Sequence, residues 1–135
     1  MDFTFSDDKD ALRDTVRSFL TNEASGAYTR AMADDERGFT DEMWRKIADM
    51  GWTGLLIAEE HGGLGLGLVD MAVVMEEMGR LPFPGPFFSS AVFATLAAQR
   101  LGSTDLLAAL ASGTLRGTVA IEEQGHGDPI KRVRT

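Results

Sequence analysis

Apolar residues recur at helical spacing in five stretches of the chain. Leu12, Val16, Phe19 and Leu20 share one side of a helix whose opening turn carries Asp7, Asp8 and Asp10, acids that suit the positive end of a helix dipole, with Ser6 placed to cap it. A second helix is expected from Thr40, with acids in its first turn and Trp44, Ile47 and Ala48 inward, ending at Gly51, a residue suited to a left-handed cap. Residues 24–38 between them are polar and show no clear period. The stretch 68–78 is apolar on nearly every side except Asp70, Glu76 and Glu77, which predicts a helix buried among others. Three prolines within 80–86 break the chain before a fourth helix over 87–100, with Val92, Phe93, Leu96 and Ala97 inward. A short fifth helix, capped by Thr104, is expected to end at Gly113.

Two stretches depart from this pattern. Gly62, Gly63, Gly65 and Gly67 fall within six residues, which excludes regular structure and predicts a tightly turned loop. Residues 116–123, Arg-Gly-Thr-Val-Ala-Ile-Glu-Glu, are β-branched with partial alternation and read as a strand. A lone strand is unstable in water and needs partners that the chain does not supply. The expected fold is therefore all-α, a bundle of about five helices over 1–115, followed over 116–135 by the first strand of an incomplete β domain.

At 135 residues the chain has the size of one domain, and with 44% hydrophobic residues it can bury a real core. The net charge of −8 repels nucleic-acid phosphates and anionic lipid, so neither is an expected partner. The absence of Cys excludes disulfides and thiolate chemistry, and two His residues alone make no zinc site. With no leader pattern and no long apolar window, the expectation is a cytoplasmic protein without membrane insertion.

Spacing alone offers weak chemistry. The acidic pairs Glu59-Glu60, Glu76-Glu77 and Glu122-Glu123 could serve as general acids or bases, but neighbours on a helix point apart and such pairs are usually solvated. His61, beside Gly62 and Gly63, fits local hydrogen bonding better than proton transfer. The glycines at 63–67 lack both the dinucleotide spacing and a following Lys-Ser/Thr, so they are not a phosphate cradle.

Taken in order, Trp44-Arg45-Lys46-Ile47-Ala48-Asp49-Met50-Gly51-Trp52, Glu59-Glu60-His61-Gly62-Gly63-Leu64-Gly65-Leu66, Glu76-Glu77-Met78-Gly79-Arg80 and Ala111-Ser112-Gly113-Thr114-Leu115-Arg116-Gly117 resemble the amino-terminal helical domain of the acyl-CoA dehydrogenases. The family passes from helices to a β domain where the break near residue 115 falls. The resemblance implies FAD-dependent oxidation of the Cα–Cβ bond of an acyl-CoA to a trans-enoyl-CoA, with an electron-transfer acceptor and a homo- or hetero-oligomeric assembly. It also implies that this domain walls the acyl cavity, while the proton-abstracting carboxylate comes from a later domain. No catalytic residue and no metal ligand is therefore assigned here, and the 135 residues alone should be inactive.

The same resemblance places the flavin-contacting strand at 119–128 and marks Val119, Ile121, Glu122, Gly127 and Asp128 as cofactor-binding positions. Glu122 stands where the family usually has a Thr and Asp128 where it usually has a Ser. A carboxylate at contact distance from a pyrophosphate costs about 1 kcal/mol even in water. Either FAD is held differently, or the chain is a non-catalytic partner subunit of a heteromeric acyl-CoA dehydrogenase. Flavin monooxygenases and nitroalkane oxidases resemble the same architecture, and the base that separates them lies outside this sequence. Phe87 and Phe88, with Phe83 and Phe93, are the expected acyl-cavity wall, although ordinary core aromatics fit equally.

Overall fold

In the computed structural model, which describes residues 6–121, α1 (Asp7–Glu23) packs along α4 (Leu68–Arg80) as the central pair of the fold. α1 buries Val16 and Leu20, as its periodicity predicts. Ser6 holds the N-cap position, but the Ser6 carbonyl accepts the Lys9 and Asp10 N–H groups while its hydroxyl makes no cap bond.

α4 buries Met71, Val73, Val74, Glu77 and Met78, yet Leu68 and Val69 are 61% and 54% exposed. The expected all-round burial is corrected accordingly. Leu68, Ala72, Glu76 and Arg80 recur every fourth residue and form an outward row, so α4 has a solvent face despite its apolar composition.

α2 (Gly26–Ala33) occupies the polar stretch where no helix is expected. It has no fully buried residue, so no apolar stripe marks it in the sequence; the half-buried Tyr28 packs on the main core and its hydroxyl accepts the Thr40 N–H at 3.4 Å. α3 (Asp41–Asp49) follows expectation. The Thr40 hydroxyl accepts the Met43 N–H at 3.1 Å, Met43, Trp44 and Ile47 face the core, and Gly51 ends the helix at φ 77°.

Short 3₁₀ turns at Trp52–Gly54 and Glu59–His61 bracket the buried residues Leu55 and Ile57. The glycine-rich loop then doubles back along this strip, with the Leu64 N–H donating to the Gly54 carbonyl (3.0 Å), Gly65 to Ile57 (2.8 Å) and Leu66 to Leu55 (2.9 Å). A Cβ on Gly63 would overlap the carbonyl oxygens of Ile57 and Gly54, so close backbone approach fixes that position as glycine.

The expected fourth helix divides. Phe88–Ala94 is π-helical and only Thr95–Leu101 is α-helical (α5), followed by α6 (Thr104–Ala111) and a left-handed Gly113 at φ 71°. Thr104 is the first residue of α6 rather than its cap; Ser103 takes that place without a side-chain bond. The fold thus has six α-helices among the described residues rather than about five. The main core gathers around Trp52, Leu20, Ile47, Leu55 and Val74, and a smaller one comprises Ile57, Ala98, Leu107, Leu110 and Ala111.

No strand forms over 116–121, which corrects the expectation for those residues; positions 122 and 123 lie outside the described residues. The physical reason is the one that makes a single strand unstable: no second strand is present among the described residues to pair with it.

Candidate functional site

α4 and the proline-rich break position a hollow of about 210 Å³, floored by Met75, Met78 and Gly79 and walled by Pro82, Phe83 and Phe88. Phe87 also reaches it but is 3% exposed and belongs to the main core. Phe88 is 54% exposed and stacks on Phe93 with ring centroids 5.9 Å apart. The two phenylalanines expected to bind substrate therefore separate: Phe87 anchors the segment and Phe88 presents a free aromatic surface.

The π-helical turn explains that stack. In an α-helix, residues five apart point about 140° away from each other, whereas an i to i+5 hydrogen-bond register brings them over one another. The Ser90 carbonyl accepts both the Thr95 N–H and the Thr95 hydroxyl, the latter at 3.2 Å, and both residues are buried. A threonine five positions after a serine is the only trace of this register in the sequence.

A second apolar groove, about 310 Å³, runs between α5, α6 and the segment leaving α6, and Ala94, Leu101, Leu106, Leu110 and Val119 line it. None of its lining residues is charged. Val119 is half-buried there, while Ile121 is 44% exposed and does not line the groove. Glu122, Gly127 and Asp128 lie outside the described residues.

The exit from α6 is clamped by residues far upstream. Trp44 Nε1 donates to the Gly113 carbonyl at 2.8 Å, and the buried Thr53 hydroxyl donates to the Ala111 carbonyl at 2.7 Å. Arg116 bonds Asp41 at 2.9 Å and lies over the rings of Phe39 and Trp44, 5.3 Å and 5.7 Å from their centroids. The Arg116 guanidinium, with Arg37 beside it, holds the Asp41 carboxyl below its ordinary range. Trp44, Gly113 and Arg116 all fall in the motifs that carry the family resemblance.

The acidic pairs behave differently from one another. Glu59 and Glu60 are exposed, with Glu60 3.5 Å from His61. Glu76 is exposed and bonds Arg13 at 2.8 Å, whereas Glu77 is 1% exposed, a correction to the expectation of solvated pairs. The Arg17 guanidinium grips it with two hydrogen bonds, Arg80 adds a third at 3.2 Å, and the carboxyl sits below its ordinary value because of Arg17, despite burial. A carboxylate so fully engaged has a structural part. The Glu122-Glu123 pair lies outside the described residues. Among the described residues no cluster of His, Cys, Asp and Glu suits a metal, and no helix is long and apolar enough to cross a membrane.

The family profile described as the N-terminal domain of acyl-CoA dehydrogenase matches residues 6–118. The chain is 35% identical to the acyl-CoA dehydrogenase IpdE2 of Mycolicibacterium smegmatis over 120 residues, covering 88% of this chain and 38% of that protein. It is also 35% identical to the acyl-CoA dehydrogenase FadE34 of Mycobacterium tuberculosis over 134 residues, covering 93% of this chain and 18% of that protein. The chain thus spans little more than a third, or less, of these relatives' length. Among solved structures, the ChsE4-ChsE5 complex from Mycobacterium tuberculosis superposes with a TM-score of 0.81 at 30% identity, covering 94% of this chain and 36% of that one. A variant of the Tcur3481-Tcur3483 steroid ACAD gives 0.80 at 34% identity, covering 90% and 34%. By the profile match across most of its length and by these relatives, the chain belongs to the acyl-CoA dehydrogenase family, whose amino-terminal helical domain it represents.

Proposed function

We propose that the chain is the acyl-walling part of an FAD-dependent acyl-CoA dehydrogenase that oxidises the Cα–Cβ bond of an acyl-CoA to a trans-enoyl-CoA and passes electrons to an external acceptor. The observation that carries this reading is the apolar hollow in which Phe88, Phe83 and Pro82 stand over Met75, Met78 and Gly79. It is concave, aromatic and free of charged lining residues, as a site for an acyl tail should be. Residues 1–115 form the helical domain in this reading, and 116–135 enter a β domain.

The uncharged groove that holds Val119 fits the proposed cofactor side, since aliphatic surface without a carboxylate suits the edge of a flavin ring. Val119 and Ile121 would lie along the ring edge, Glu122 would stand where a Thr usually meets the flavin ring, and Gly127 and Asp128 would approach the pyrophosphate. When bound, FAD supplies the oxidising power. The chain's own residues exclude water from the acyl group and orient it; no catalytic base is assigned among them.

A second reading, a non-catalytic subunit paired with a flavin-bearing one, is favoured by Glu122 and Asp128. The structural relatives named for two polypeptides each point the same way. Both readings are tested by purifying the protein within its complete polypeptide, and separately with a co-expressed flavin-bearing partner. A visible flavin band, with bleaching of an acceptor dye by acyl-CoAs graded in size, is the expected result. Flavin only in the co-expressed form selects the partner-subunit reading, and neither band nor bleaching in either preparation overturns both.

A further inference from the structure

We propose that Ser90 is a positioning residue that couples the acyl-wall aromatics to the chain segment leading toward the cofactor side. The inference rests on the functional reading above for its meaning, but its geometry is independent of it. Ser90 is 2% exposed and is bonded through two separate atoms. Its carbonyl receives the Thr95 N–H and hydroxyl, the bonds that hold Phe88–Ala94 in the π register. Its hydroxyl oxygen accepts the Gly117 N–H at 3.3 Å.

Gly117 is closely seated. A Cβ there would come within 2.9 Å of Ala94 Cβ and 3.7 Å of a Leu110 methyl, so the backbone of the exit segment lies directly on the last residue of the π turn. The π register in turn places Phe93 over Phe88. One buried hydroxymethyl group thereby joins the stacking of the acyl wall to the placement of residues 117–119, and neither can shift without disturbing the other. A π turn costs hydrogen-bond quality and persists where something holds it, which is the part assigned to Ser90 and Thr95.

Coupling of this kind is reciprocal, and reciprocity is what a merely structural residue would not show. Amide hydrogen exchange of the chain reads both ends at once. Ser90→Ala deletes the acceptor of the Gly117 N–H and should speed its exchange by about fivefold to tenfold, the effect of one lost hydrogen bond; the Thr95 amide keeps its carbonyl acceptor, so its exchange should also speed, but only through the coupling. Thr95→Val, which removes a hydroxyl donor on the helix, should speed Gly117; Gly117→Ala, whose methyl presses on Ala94 from the exit segment, should speed Thr95. Ser90→Thr, which keeps the hydroxyl, should restore both, and amides of α1 and α3 should not change in any variant. Acceleration at one end without the other, or unchanged exchange at both, overturns the proposal. Intact coupling in a protein that takes up no flavin would instead remove the functional reading and leave the positioning role standing.

Discussion

Arg17 closes on Glu77 through two parallel hydrogen bonds, Nε to Oε2 at 3.0 Å and Nη2 to Oε1 at 2.7 Å, and so joins α1 to α4 across sixty residues of sequence. The Glu77 side chain is buried while those of Arg17 and Arg80 remain about half exposed, so the cost of desolvation falls mainly on the carboxylate. The pairing outweighs that cost, since the carboxyl is held below its ordinary value of 4.5. Its contribution to stability is full above pH 4.5 and is lost as the pH falls through the lowered value, because the unfolded chain then binds the proton first. Glu77→Gln should cost about 2 kcal/mol at neutral pH and flatten the acid limb below pH 4.5. Urea titrations from pH 7 to 3 check this, and an unchanged acid limb would refute it.

The phenylalanine pair gives opposite expectations at adjacent positions. Phe87→Ala removes a core ring and should cost about 3–5 kcal/mol, whereas Phe88→Ala, on an exposed ring, should cost less than about 1 kcal/mol. If Phe88 walls the acyl cavity, its variant should weaken acyl-CoA binding in the flavin-bearing protein while Tm stays within a few degrees. Thermal melts alongside acyl-CoA titration separate the two effects.

Gly63→Ala should be among the most damaging single-methyl additions in the molecule, because the methyl would meet two backbone carbonyls rather than a side chain that can turn away. A loss of about 3 kcal/mol or more is expected, with the loop bonds from Leu64, Gly65 and Leu66 released. Gly79→Ala, where a Cβ would meet nothing within 4 Å, is the internal control and should be neutral or slightly stabilising. Denaturant midpoints of the two variants provide the comparison.

Trp44→Phe keeps an aromatic ring in the core but deletes the indole N–H that the Gly113 carbonyl accepts. The expected cost is about 1–2 kcal/mol, together with faster proteolysis near Arg116, whose guanidinium loses part of its aromatic seat. Limited trypsin digestion followed by mass spectrometry reads the second effect directly; equal cleavage rates in the two proteins would count against the clamp.

Much of this architecture is legible in the sequence where one face is apolar and the ends are marked. Thr40 and Gly51 bound α3 as expected, and Gly113 follows α6. α2 is illegible for the converse reason, since a helix that buries nothing fully leaves no stripe to detect. The π turn escapes because its apolar residues also satisfy an α-helical period; what distinguishes it is the hydrogen-bond register, fixed by Thr95 and Ser90 in three dimensions. At the candidate site, composition marks Phe83, Phe87 and Phe88 as a group, but only packing separates the ring that anchors from the ring that faces outward. Glu77 looks like one half of a solvated pair because its partner Arg17 lies sixty residues away on α1, with α2 and α3 in between.

The bonds from Trp44 and Thr53 to the carbonyls at the end of α6 and just beyond it have a consequence for synthesis on the ribosome. Two buried donors made early acquire their acceptors only when the chain has been extended beyond Gly113. A nascent chain halted before that point leaves the Trp44 indole N–H and the Thr53 hydroxyl without these acceptors. The clamp on the end of α6 can therefore close only after the chain through Gly113 has emerged, late in synthesis of this domain.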